Sequence, residues 1–103
     1  MTHEFDPATA VLKISGSLQI DEIEQLRDPL WQCILNQAEV SLDLGAVDRC
    51  DTAALQVLFS GQKTALSLGK PFRVVEASAV VTLNASALGL AFESTTQKGG
   101  SLA

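Results

Sequence analysis

Ser41-Leu42-Asp43-Leu44-Gly45-Ala46-Val47-Asp48-Arg49-Cys50-Asp51-Thr52-Ala53-Ala54-Leu55 is the stretch whose reading decides the fold of this chain. Val40 to Leu44 is a short apolar run of the kind that makes a buried strand. A polar turn carrying Asp48 and Asp51 follows, and Asp51-Thr52 then opens a helix-periodic segment from Ala53 to Leu68. Asp and Thr are both favoured at a helix N-cap. The Thr52 hydroxyl is therefore either a cap or an accessible acceptor for a phosphate, and the local sequence leaves both open.

Upstream, Ala10-Val11-Leu12-Lys13-Ile14-Ser15 is a strand that Gly16 ends, and a shorter strand from His3 to Phe5 pairs with it across the turn-forming Asp6-Pro7-Ala8. Leu18 and Ile20 continue extended until Asp21, an N-cap with Glu24 at the capping-box spacing. The first helix runs from about Glu22 to Gln37, with Ile23, Leu26, Leu30, Cys33 and Ile34 on its buried face, Trp31 at the edge of that stripe and Pro29 bending it.

In the second helix Leu55, Leu58, Phe59, Gln62 and Leu66 share one face, expected to pack on the sheet. Ala53, Val57, Ser60, Gly61 and Thr64 share the other. An outward face this small and uncharged is unusual, because surface helices normally carry Lys and Glu there. Either a second layer of the protein covers it or a partner does, and the expectation here is a partner. Gly69 and Pro71 stop the helix. Phe72 to Glu76 is a strand, Ser78 caps a third helix through about Leu88, and Leu90-Ala91-Phe92 makes a last short strand. The order β-β-α-β-α-β-α-β argues for one α/β domain over residues 1–103, with an ordered core of about 3–93 and a polar, Gly-rich tail at 94–103.

Composition narrows the function. Twelve acidic residues against seven scattered Lys and Arg give a net charge of −5, and there is no basic patch to neutralise nucleic-acid phosphates or dock on an anionic bilayer. The apolar stretches fall short of the roughly 20 residues a membrane-spanning helix needs. There is no secretory pattern, so the expectation is a cytoplasmic chain with protein partners, without nucleic acid or membrane insertion. Cys33 and Cys50 have neither C-x-x-C spacing nor a nearby histidine and read as buried small hydrophobes. An enzyme is disfavoured. The chain offers no Ser-His pair, metal-ligand cluster or Gly-rich phosphate loop; Asp43, Asp48 and Asp51 could hold a cation, but Asp43 belongs to a buried strand end and solvated turn aspartates are the ordinary reading. No cofactor or metal is expected.

The ordered set of pieces resembles the STAS family, the domain shared by sulfate transporters and anti-sigma-factor antagonists. The matching pieces are Val11-Leu12-Lys13-Ile14-Ser15-Gly16-Ser17-Leu18 with Ile20, then Val40 to Leu44, Val47 to Leu55, Leu68-Gly69-Lys70-Pro71-Phe72-Arg73-Val74, Ala77 to Val81, and Leu88-Gly89-Leu90. The resemblance implies a STAS-like mixed sheet with helices packed mainly on one face, and no enzymatic activity. It further implies that a Ser or Thr directly after an Asp, here Thr52, is phosphorylated by a partner kinase, an anti-sigma factor or related Ser/Thr kinase. The surface expected to meet that partner comprises Gln19, Asp48, Arg49, Asp51 and Thr52, with Ala53, Val57 and Ser60 of the second helix. The family commonly has Gly where this chain has Ala54, and an acidic residue where it has Gln19. STAS chains also serve as constitutive subunits of a lipid-transport ABC complex or of chemosensory assemblies, so the resemblance implies that alternative as well.

Overall fold

A computed structural model describes residues 1–89. Four strands, β1 (Thr2–Asp6), β2 (Val11–Leu18), β3 (Val40–Cys50) and β4 (Phe72–Ala77), form one sheet in the order β1-β2-β3-β4. The β1–β2 hairpin is antiparallel and the β2–β3 and β3–β4 pairs are parallel. Helices α1 (Ile23–Asn36) and α2 (Thr52–Ser67) make the two parallel crossovers, and α3 (Ala79–Ala87) follows β4. Strand order advances in one direction, so right-handed crossovers put α1 and α2 on the same face. The core lies beneath them: Leu12, Ile14, Leu42, Leu44, Phe72 and Val74 from the sheet meet Leu26, Leu30 and Ile34 of α1 and Leu55 and Leu58 of α2. The expected Leu90–Phe92 strand and the tail lie outside the described residues.

Several boundaries differ from the sequence reading, each for a local reason. Gly16 does not end β2. It adopts φ +90° beside Met1, a conformation rare for other residues, and pairing continues to Leu18. The stretch 45–50, expected as a turn, is the second half of β3. Its buried positions fall at 40, 42, 44, 47 and 50. Twice β3 uses one residue more than β2, as the pairing moves from Lys13↔Asp43 to Ser15↔Ala46 and from Gly16↔Val47 to Ser17↔Arg49. Bulges of this kind break the strict alternation by which a strand is recognised and push polar residues outward.

Asp21 does not cap α1. A 3₁₀ turn, Ile20–Glu22, precedes the helix, whose N-cap position is Glu22 with no side-chain cap. Gly69, by contrast, ends α2 as expected, one residue past its C-cap with φ +76°.

The faces of α2 also rotate relative to the reading. Leu66 is 49% exposed, and Phe59 is half-buried with the Lys63 ammonium 5.7 Å from its ring centroid. Gly61, expected on the outward face, is buried against α1, where a Cβ would come 2.8 Å from Leu30 Cδ2. Part of the small-residue face therefore exists to admit another helix of this chain. The remainder stays open.

Candidate functional site

β2 and β3 end side by side, with Leu18 opposite Cys50. One residue on, the Asp51 N–H donates to the Leu18 carbonyl at 3.0 Å, carrying the pairing to the mouth of α2. Asp51 has extended backbone (φ −91°, ψ 174°), its Oδ1 accepts from the Ala54 N–H at 3.0 Å, and its carbonyl accepts from the Leu55 N–H. Asp51 is thus the N-cap, and capping is not the role of the Thr52 hydroxyl. Thr52 is the first residue of α2, exposed, and its hydroxyl is not used in the cap. Ala54 is helical and fully buried, so its backbone has no need of the freedom glycine would bring.

The other residues expected at the site fall into two adjoining groups. Gln19 is half-buried at the end of β2, where its carbonyl accepts from the Glu22 N–H at 2.8 Å. Asp48 and Arg49 are exposed on the second bulge of β3. Together with Asp51 and Thr52 they form the strand-end surface. Ala53, Val57 and Ser60 instead line an open groove of about 920 Å³ between α1 and α2, whose other wall includes Asp21, Ile23, Glu24, Arg27 and Trp31. The half-buried Trp31, placed by the sequence at the edge of the apolar stripe, is a wall of this groove. Thr52 immediately precedes Ala53, the first α2 residue of the groove lining.

Cys50 sits beneath this surface. Burial pushes its thiol up to about 11, and the neighbouring Asp51 carboxylate adds to the effect. At neutral pH it is a protonated, inert side chain. The sequence reading did not pick out Asn84. From α3 its Nδ2 donates to the Cys50 carbonyl at 2.8 Å, bracing the junction from the side opposite Leu18. The available signal was a single amide within Ala79-Val80-Val81-Thr82-Leu83-Asn84-Ala85, a run that is apolar but for Thr82.

Among the described residues no group of three or more His, Cys, Asp or Glu side chains is arranged to hold a metal ion, and no helix is long and apolar enough to cross a membrane. What the surface offers is the exposed Thr52 next in sequence to Asp51, and a groove lined by Ile23, Trp31, Ala53 and Val57 together with the charged Asp21, Glu24 and Arg27. That chemistry suits contact with another protein.

No curated protein matches the chain. Among solved structures it is similar to the anti-sigma factor antagonist SpoIIAA in its unphosphorylated form, with a TM-score of 0.73 at 13% sequence identity, covering 96% of this chain and 92% of that one. At that identity the likeness establishes the fold alone, in which the described residues form a mixed four-stranded sheet with three α-helices. The family profile described as "Mlab, STAS domain" matches residues 1–92, nearly the full length. The chain therefore belongs to the STAS domain family.

Proposed function

We propose that this chain is a protein-interaction module of the anti-sigma-factor-antagonist kind, acting in the cytoplasm without catalysis of its own and switched by phosphorylation of Thr52. The observation that carries the reading is the exposed Thr52 hydroxyl at the first position of α2, uncommitted to the helix cap because Asp51 supplies it. A Ser/Thr kinase reaching that hydroxyl disturbs neither the cap nor the core.

Phosphate adds close to two negative charges near pH 7. Within this protein the dipole and free N–H groups at the start of α2 accommodate it. Toward a partner the effect is opposite. Asp48 and Asp51 already stand on that surface, with Asp21 in the groove wall, and like charges pressed into a desolvated contact cost several kcal/mol. The unmodified form docks through the Thr52 end and the groove, and the phosphorylated form is released.

The test uses the chain co-purified with its cellular partner. Thr52→Glu should fold normally and lose the partner, whereas Thr52→Ala should keep it and no longer respond to the kinase. Mass spectrometry should place phosphate on Thr52. Val57→Glu, which charges the groove lining, should also abolish binding while leaving the fold intact.

A second reading is implied by the resemblance to STAS domains, and the open groove between α1 and α2 leaves room for it. Under it the chain is a constitutive subunit of a lipid-transport ABC complex or a chemosensory assembly, and the groove is permanently occupied. Val57→Glu would then break the complex, but Thr52 would carry no phosphate under any signalling condition and Thr52→Glu would still bind.

A further inference from the structure

We infer that Asn84 of α3 is the positioning residue that holds the Thr52 end in its presented geometry. The inference rests on the reading of that end as the interaction site. β3 runs past its last β4 partner, since the pairing stops at Leu44↔Ala77 and the chain turns there through Ser78, whose N–H donates to the Leu44 carbonyl, into α3. Among the described residues the outer half of β3 consequently pairs with a strand on the β2 side only, and on its other side it receives a hydrogen bond from α3. On the β2 side the junction is held by the Asp51 N–H on the Leu18 carbonyl at 3.0 Å. On the α3 side it is held by the Asn84 Nδ2 on the Cys50 carbonyl at 2.8 Å.

The surroundings of Asn84 make this bond specific. It lies beside Val81 and Ala85, the two buried residues of α3, and Cys50 is itself 6% exposed. Asn is a weaker helix former than Ala, and a half-buried amide facing an apolar layer is retained only where it finds a partner. Cys50, Asp51 and Thr52 are consecutive. Releasing the Cys50 carbonyl loosens the extended Asp51 backbone on which the cap depends, and with it the first turn carrying Thr52. Most of the core comes from β2, β3, β4, α1 and α2, with α3 adding Val81 and Ala85.

The test is residue-resolved amide hydrogen exchange on the whole chain, comparing the parent with Asn84→Asp, which keeps the shape but removes the donor at neutral pH, and Asn84→Ala, which adds no charge. In both variants the Ala54 and Leu55 amides should exchange about tenfold faster, the factor corresponding to one ordinary hydrogen bond. Amides in the middle of β2 and β3 should keep their rates. Equal acceleration throughout would make Asn84 a contributor to global stability alone and overturn the inference. No acceleration, or acceleration in Asn84→Asp only, would overturn it too. If the local signature appears while Thr52→Glu leaves partner binding untouched, Asn84 positions the junction as inferred and the reading of Thr52 as the switch is what falls.

Discussion

Replacing Gly61 with alanine measures the contact between α1 and α2 that shapes one side of the groove. A Cβ at this position would lie 2.8 Å from Leu30 Cδ2, 3.4 Å from Leu30 Cγ and 3.5 Å from Ile34 Cδ1. Leu30 and Ile34 are each 0% exposed, so neither has solvent-side space into which to turn. In an open helix interior the same change would gain about 1 kcal/mol from propensity. Here overpacking costs about 1–3 kcal/mol. The second effect wins, and a net loss of about 1 kcal/mol follows from the middle of that range. For a domain of this size such a loss lowers Tm by about 4–8 °C. Gly61→Val places further methyl groups against the same wall and should cost about 3 kcal/mol or more. Ser60→Ala, its exposed neighbour, is the control and should change stability by less than about 0.5 kcal/mol. Urea unfolding followed by far-ultraviolet circular dichroism and by the emission of Trp31, the chain's single tryptophan, gives all three values from one assay. A Gly61→Ala variant that is more stable by the full propensity gain would refute the reasoning, because it would mean that α1 does not press on Gly61.

Three further outcomes are expected. Asp51→Ala should lose about 1 kcal/mol as the cap bond to Ala54 disappears, whereas Thr52→Ala should change stability by less than about 0.5 kcal/mol, both read from the same urea transitions; a cap-sized loss at Thr52 would reverse the assignment. With the Cys50 thiol raised to about 11 by burial and by Asp51, native alkylation by iodoacetamide at pH 8 should run at least roughly 100-fold slower than that of free cysteine. The linked effect on stability has a definite sign: below pH 9 the thiol is neutral in both states, and between about 9 and 11 only the unfolded chain ionises, so native stability falls as pH rises through that window. A pH titration of the urea midpoint in the parent and in Cys50→Ala should show that part of the decline vanishing in the variant.

Periodicity and punctuation in the sequence determined, among the described residues, the number and order of the main helices and strands and the side of α1 that is buried. These follow from local rules: Leu26, Leu30, Cys33 and Ile34 repeat at helical spacing, Gly69 tolerates the positive φ that ends α2, and Asp6-Pro7-Ala8 turns the hairpin. The resemblance of the ordered pieces also reached the family, because what carried it was the spacing of whole elements rather than any single side chain. Tertiary structure alone decided the rest. Residues 45–50 continue β3 because β2 is there to pair with, and the bulges that keep Val47 and Cys50 inward erase the alternation that would have announced a strand. Asp51 rather than Thr52 caps α2 because the Leu18 carbonyl fixes the Asp51 backbone in an extended conformation, an interaction across 33 residues of chain that no local propensity encodes. The small face of α2 was legible as unusual, but whether a residue on it meets α1 or the groove depends on where α1 crosses. That crossing buries Gly61 and leaves Val57 and Ser60 along the groove. Asn84 follows the same logic: a lone amide in an apolar helix gains its meaning only when the fold brings the Cys50 carbonyl within hydrogen-bonding reach.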